Sequence, residues 1–160
     1  SDVCSSDLKA EADSGLPLAS LKAALDPNEC LLLVPSDAQY AKFQNCFNLR
    51  TALKPQARVL VRSTRGVTQL VPWLRSNKIP FAIRGGGHSY EGFSQSSSVV
   101  IDTRLLNHVE LDSSGRTVSV GGGAALGEVY PFLIVSDRIL AERDQPTDLF
   151  AIVYPDRMTI

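Results

Sequence analysis

Two runs of three consecutive glycines, at residues 85–87 and 121–123, restrict most strongly how this 160-residue chain can fold. Glycine loses more backbone entropy on folding than any other residue, so three together in an ordered segment need a compensating reason. The usual reason is that no Cβ can stand between the backbone and a neighbouring group. The first run follows a short apolar segment, residues 81–83, which is typical of a buried strand that ends in a tight loop.

The residues on either side of the first run are charged or titratable. A glycine-rich loop can point several N–H groups at an anion, commonly a phosphate. Arg84 adds a permanent positive charge before the glycines, and His88 adds a nitrogen that can act as nucleophile, proton carrier or ligand after them. Alone, such a glycine-rich segment is more often an ordinary turn, and a lone histidine is usually structural.

Spacing excludes two common phosphate-binding motifs. The dinucleotide fingerprint G-x-G-x-x-G would need glycine where Tyr90 stands, and the loop G-x-x-x-x-G-K-[ST] occurs nowhere in the chain.

Composition excludes several classes of partner. Apolar residues make up 44% and charged residues 21%, which is ordinary for a soluble globular domain or part of one. The net charge of −1 gives no electrostatic reason to expect nucleic acid or an anionic membrane as partner. The apolar runs are far shorter than the roughly 20 residues of a membrane span. The oligomeric state and the cellular compartment stay open.

The cysteines and the N-terminus add little. Cys4, Cys30 and Cys46 are odd in number and form no C-x-x-C pair, so neither a zinc site nor a disulfide framework is indicated. A bridge between Cys30 and Cys46 remains an alternative to inert thiols. Met158 is the only methionine and no signal-peptide pattern is present, so we expect a processed product or a piece of a longer protein.

The first third of the chain is expected to contain a polar lead, a helix and a strand. Residues 1 to about 15 lack any sustained period, which is typical of a disordered lead. A short helix is expected over residues 17–25 and a strand over residues 31–34. Ser36 or Asp37 then provides the N-cap of a helix whose aromatic residues recur at helical spacing, namely Tyr40, Phe43 and Phe47.

Residues 58–83 predict a βαβ unit. Residues 58–62 are typical of a strand, and Thr64 caps a helix over residues 66–76. Pro72 lies inside that pattern, so the helix is expected to kink there or to begin later. The second strand ends at the first glycine run. The two strands should lie parallel, and open α/β sheets bind ligands at the carboxyl edge of such strands.

A mainly antiparallel β segment is expected to follow. Residues 99–102 form a buried strand, and residues 109–112 and 116–120 alternate as the arms of a β-hairpin. The second glycine run then leads from strand into helix. Tight strand–helix packing alone is a sufficient reason for that run.

Residues 84–94, R-G-G-G-H-S-Y-E-G-F-S, resemble the flavin-attachment motif of FAD-linked oxidases. These enzymes are the berberine-bridge-enzyme-like branch of the vanillyl-alcohol-oxidase, or PCMH-type, superfamily. Three other segments are similar to that family: F-N-L-R at 47–50, D-T-R-L-L-N at 102–107, and V-G-G-G-A-A-L-G-E-V-Y at 120–130. The resemblance covers residues 30–133, which leaves residues 1–29 as a lead and residues 134–160 as a divergent tail.

The resemblance implies an α+β PCMH-type FAD-binding domain fragment, a βαβ unit followed by a mainly antiparallel β segment. In the family the glycines approach the FAD pyrophosphate, and the histidine ring is bonded to the 8α-methyl carbon of the isoalloxazine. This implies a covalent link at His88. The implied FAD-binding residues are Arg84, Gly85, Gly86, Gly87, His88, Ser89, Tyr90 and Gly92, with Gly121 and Gly122 from the second run.

The resemblance also implies a reaction for a complete relative. A small-molecule substrate gives a hydride to flavin N5, and the reduced flavin then passes its electrons to O2. The family's next glycine-rich loop carries C-P-x-V-G-x-G-G, whereas this chain has no glycine or cysteine after Gly127. The substrate domain that usually supplies a base is also absent, so no catalytic residue is named. A truncated remnant without flavin binding, and a small module for another phosphate-bearing ligand, remain alternatives.

Overall fold

The computed structural model describes residues 15–44, 48–113, 117–135 and 157–159. In this part of the chain a four-stranded mixed sheet is followed by a three-stranded antiparallel sheet. This confirms the predicted α+β class, with the βαβ unit preceding the antiparallel segment. The elements are α1 (Leu18–Ala24), β1 (Cys30–Leu33), β2 (Ala57–Val61), α2 (Thr64–Ser76), β3 (Phe81–Arg84), β4 (Val99–Asp102), β5 (Val109–Leu111), β6 (Thr117–Val120), α3 (Leu126–Val135) and β7 (Arg157–Thr159), with 3₁₀ turns at Tyr40–Phe43 and Leu49–Thr51.

The order of strands in the first sheet is β1-β2-β4-β3. Strands β2 and β3 both pair parallel with β4, which lies between them, and β1 pairs antiparallel with β2. The prediction that the two strands of the βαβ unit run in the same direction is confirmed. Arg84 and Asp102 are register partners at the carboxyl ends of β3 and β4. The first glycine run and the turn after Asp102 therefore leave the sheet at the same edge.

Helices α1 and α2 supply apolar side chains to the main core. Leu21, Leu70 and Leu74 pack with alternate residues of the central strands, including Val59 and Ile101. All five residues of β2 are buried, because Leu33, Tyr40 and Leu60 form a second cluster that includes the strand's other face. The predicted strand exists, but it is central and buried on both faces.

Helix α2 begins two residues earlier than predicted. Its N-cap is Ser63, whose Oγ accepts from the Gly66 N–H at 3.2 Å, so the expectation that Thr64 is the cap was wrong. The helix also continues through Pro72. Pro72 lies on the exposed face, and burial of Leu70 and Leu74 on the opposite face holds the helix despite the missing N–H.

The aromatic segment after β1 forms a 3₁₀ turn over Tyr40–Phe43, not the longer helix predicted. Asp37 closes a tight turn instead of capping a helix, since its Oδ2 accepts from the Val34 N–H at 2.7 Å. The buried Tyr40 hydroxyl donates to the Pro55 carbonyl, which ties the turn to the start of β2. Phe47 lies outside the described residues.

Two further expectations concern the cysteines and the hairpin. Cys30 is a free, buried thiol, so the Cys30–Cys46 bridge does not form. Strands β5 and β6 are antiparallel as predicted, and β7 pairs antiparallel with β6. None of the helices in the described segments has the length and apolar character to cross a membrane.

Candidate functional site

The first glycine run turns sharply away from the end of β3. Gly87 is buried and has φ of +76°, a backbone conformation that other L-residues rarely adopt. A Cβ at Gly87 would stand 2.8 Å from Nη2 of Arg84 and 2.9 Å from its Cζ and Nε. Glycine is therefore required here twice, once for the turn and once for the close approach of the Arg84 guanidinium.

The Arg84 side chain lies on the inner side of this turn. It is 4% exposed, so its charge is held inside the protein and not in solvent at the entrance of the loop. The interior has a lower effective dielectric constant than water, which lets a charge there act more strongly on a neighbouring anion. Sequence reasoning identified the charge but not its position beneath Gly87.

His88 is exposed at the head of a compact turn. Ser89 Oγ accepts from the Phe93 N–H at 3.1 Å, and the Gln95 N–H donates to the Gly92 carbonyl at 2.9 Å. Gly92 has φ of +77°, so it too adopts a conformation suited to glycine. The imidazole is therefore on the exterior, beside a turn stabilised by its own hydrogen bonds, where a ligand has access to it.

Large apolar side chains are exposed around His88. Tyr90 is 69% exposed, Phe93 82% and Leu49 80%. Asn48 Nδ2 donates to the Tyr90 carbonyl at 2.7 Å, so Asn48 of the F-N-L-R motif lies against the histidine loop. Two segments that resemble the same family, separated by about 40 residues, thus meet at one place. Sequence reasoning placed both in the domain but did not pair them.

The two glycine runs approach each other through Thr103. Its N–H and its hydroxyl both donate to the Arg84 carbonyl, at 2.9 and 3.2 Å. The same hydroxyl lies 3.5 Å from the Gly122 carbonyl. Thr103 was not a predicted site residue, although it lies in the D-T-R-L-L-N segment of the resemblance.

The second glycine run packs tightly against the turn after β4. A Cβ at Gly121 would stand 2.0 Å from the Leu106 carbonyl oxygen, and one at Gly123 would stand 1.8 Å from that of Thr103. The N–H groups of Gly121 and Gly123 donate to the carbonyls of His108 and Leu106, each at 2.8 Å. Packing within the protein thus accounts for these two glycines. FAD contacts by Gly121 and Gly122 stay predictions, and the Gly121 N–H is already engaged.

A buried ionic cluster supports the turn after β4. Asp102 is fully buried and bonds to Arg58 Nη1 at 2.9 Å and Arg104 Nη2 at 2.7 Å. Arg104 Nη2 also donates to the Phe43 carbonyl at 3.0 Å, and its Cζ lies 4.8 Å from the centre of the Phe43 ring. Burial lowers the pKa of Arg58, and the attraction of Asp102 opposes that effect. The D-x-R spacing was the one sequence signal of this cluster.

In the described segments no group of three or more His, Cys, Asp or Glu side chains is arranged to hold a metal ion.

The fit to FAD is better at the first glycine run than at the second. At the first run, the partly exposed Gly85 and Gly86, the charge of Arg84 and the exposed His88 lie together. At the second, the protein's own carbonyls occupy the space beside the glycines.

Residues 55–145 match the model of a protein family described as an FAD binding domain. The chain is 31% identical over 100 residues to an uncharacterized FAD-linked oxidoreductase of Bacillus subtilis, YgaK, a match that covers 62% of this chain and 22% of the relative. It is 32% identical over 112 residues to reticuline oxidase of Eschscholzia californica, which covers 64% and 21%.

The solved structure of wild-type BBE-like 1 from Physcomitrella patens superposes with a TM-score of 0.63 at 27% identity, covering 72% of this chain and 26% of that one. The chain thus spans about a fifth to a quarter of the length of these relatives. The family model covers more than half of this chain, including the first glycine run and His88. The chain belongs to the PCMH-type FAD-binding domains, in their berberine-bridge-enzyme-like branch.

Proposed function

We propose that this chain is the FAD-binding portion of an FAD-linked oxidase and holds FAD covalently through His88. The observation that carries the proposal is the arrangement at Gly87. The buried Arg84 guanidinium lies against Gly87, the preceding Gly85 and Gly86 are only partly buried, and the next residue is an exposed imidazole. The FAD-binding part is proposed to be residues 30–133.

Each residue of the first loop has a role in this proposal. The backbone of Gly85, Gly86 and Gly87 would approach the diphosphate, whose negative charge the Arg84 guanidinium would stabilise from beneath. Ser89 and Gly92 hold the turn that presents His88, and the exposed ring of Tyr90 offers an apolar surface beside it. Gly122 is half-exposed, and it would contribute from the second run.

The bond to FAD would form at an imidazole nitrogen that carries no proton. That nitrogen would attack the 8α-methyl carbon, and one proton would be released from the other imidazole nitrogen and one from the methyl group. The two electrons left on the flavin would pass, with two protons, to O2, which would become hydrogen peroxide. A covalent bond prevents dissociation of the cofactor. The bound flavin would accept a hydride from a carbon of the substrate. The protein would position the flavin and the substrate and stabilise the charges on them.

In a longer protein of this family, the reaction we propose is oxidation of a small-molecule substrate with O2 as electron acceptor. The Eschscholzia relative, reticuline oxidase, is by name an oxidase of a small molecule, which supports this class of reaction. The competing hypothesis is that the 160 residues bind no flavin. Its support is that the N–H groups of Gly121 and Gly123 are already engaged by carbonyls of the protein.

Acid precipitation after incubation with FAD separates these hypotheses. We expect a yellow pellet from the unmodified chain and a colourless one from His88→Ala. His108→Ala is the matched control, since the chain has two histidines and His108 is also exposed; it should stay yellow. Colour that passes wholly into the supernatant would contradict the covalent bond, and no bound colour at all would support the remnant.

A further inference from the structure

The Thr103 hydroxyl lies between the two glycine runs. Its Oγ1 is 3.2 Å from the Arg84 carbonyl, where the first run begins, and 3.5 Å from the Gly122 carbonyl in the middle of the second. A threonine hydroxyl has a single proton, so one donor serves two acceptors on separate loops. The separation of the two carbonyls is limited by this shared contact.

Thr103 is itself held in a fixed position. Its N–H donates to the Arg84 carbonyl, and its own carbonyl accepts from the Leu106 N–H at 2.8 Å. The preceding residue, Asp102, is fully buried and accepts from the Arg104 N–H at 3.1 Å and from Arg58 Nη1 at 2.9 Å. Both loops therefore contact a residue that is itself fixed at the end of β4. Their positions are set relative to the sheet as well as to each other.

The backbone carbonyl of Thr103 also lies close to the second glycine run. Gly123 passes so near the Thr103 carbonyl that a Cβ would stand 1.8 Å from it. The hydroxyl of Thr103 thus meets Gly122 while its carbonyl meets Gly123. These two contacts with Thr103 restrict where the backbone of the second run can lie.

We propose that Thr103 is a positioning residue that sets the spacing between the two glycine runs, and with it the position of the first run toward the FAD diphosphate. This inference rests on the proposed function and assigns Thr103 no direct contact with FAD. Its action on the cofactor is through the Arg84 and Gly122 carbonyls. The hydroxyl is the functional group, because the N–H contact to Arg84 does not depend on the side chain.

Two substitutions separate the hydroxyl from the shape of the side chain. Thr103→Val keeps the volume and loses the donor, whereas Thr103→Ser keeps the donor and loses a methyl group. In a His88→Ala background, where FAD binds only reversibly, we expect Thr103→Val to bind FAD about fivefold to tenfold more weakly, the loss typical of one hydrogen bond, and Thr103→Ser to bind it within about twofold of the chain with Thr103 intact. Thr68→Val is the matched control: its hydroxyl donates to the Arg65 carbonyl at 2.9 Å on α2. It should bind FAD normally.

Amide hydrogen exchange on the chain without FAD gives a second readout. In Thr103→Val the amides of Gly121 and Gly123 should exchange about fivefold to tenfold faster, while those of the buried strand β4 stay unchanged. Thr103→Ser should restore slow exchange. A structural defect without positioning would accelerate β4 as well, and that outcome would overturn the inference.

The outcomes distinguish this inference from the proposed function. If the unmodified chain binds FAD and Thr103→Val binds it equally well, the positioning role is refuted while the FAD site stands. If the unmodified chain binds no FAD, the proposed function fails and the positioning role for a diphosphate fails with it. Exchange at Gly121 and Gly123 would then still show whether the hydroxyl joins the two loops.

Discussion

Substituting alanine for Gly87 tests the most constrained point of the candidate site. The left-handed backbone at φ of +76° costs an L-residue about 1–2 kcal/mol. The added Cβ would also stand 2.8–2.9 Å from three atoms of the Arg84 guanidinium, which is buried and must move. Overpacking of this kind costs about 1–3 kcal/mol. Gly87→Ala should therefore lower the free energy of unfolding by about 2–5 kcal/mol.

A double-mutant cycle separates the two contributions. In an Arg84→Ala background the guanidinium is gone, so Gly87→Ala should cost only the backbone term of about 1–2 kcal/mol. Gly15→Ala is the matched control, because no atom lies within 4 Å of a Cβ there, and it reports the effect of alanine on the unfolded chain. It should change stability by less than about 0.5 kcal/mol.

Urea unfolding of the chain without FAD, followed by fluorescence of its single tryptophan, measures the four proteins of the cycle and the Gly15→Ala control. Equal costs of Gly87→Ala with and without Arg84 would show that the guanidinium does not lie beneath the glycine. A cost below about 0.5 kcal/mol in the unmodified background would refute the strained turn as well.

Three further substitutions test other contacts in the described residues. Gly123→Ala places a Cβ 1.8 Å from the Thr103 carbonyl, where only backbone movement can relieve the clash, so it should lose more than about 4 kcal/mol in urea unfolding; a loss below about 1 kcal/mol would contradict the packing. Asp102→Asn leaves the fully buried Arg58 charge without its carboxylate and should cost about 3–5 kcal/mol, and an unchanged midpoint would show that the pair is not formed. Burial, followed by the charges of Glu29 and Asp26, raises the pKa of the Cys30 thiol. The folded chain therefore keeps a proton that the unfolded chain loses above about pH 8.5, so stability should fall with rising pH there, by up to about 1.4 kcal/mol per unit; Cys30→Ala should lose that slope relative to the unmodified chain, and equal slopes would contradict the shift.

The sequence predicted the parts of the fold that depend on local patterns. The βαβ unit, the hairpin and the helix after the second glycine run follow from apolar periodicity and turn residues, and each is present. Insertion of β4 between β2 and β3 could not be predicted, because strand order depends on pairing between distant residues. The helix expected after Asp37 failed for a local reason, since that carboxylate caps the Val34 N–H in a tight turn instead.

The candidate site was predictable where a motif is contiguous and not where it is assembled from separate segments. His88 and the glycines before it form one stretch, and the structure leaves the imidazole exposed. The role of Thr103 depends on contacts with residues 19 positions away on either side. The position of Arg84 depends on the direction its side chain takes under Gly87. Neither contact leaves a periodic signal in the sequence.

Peptide mapping of the FAD-treated chain tests the central claim most directly. Trypsin cleaves after Arg84 and Arg104, so His88 falls in the peptide of residues 85–104 and His108 in that of residues 105–116. After acid denaturation and digestion, we expect flavin fluorescence and the added mass of FAD on the 85–104 peptide alone. Flavin recovered free in solution, or attached to any other peptide, would contradict the assignment of His88.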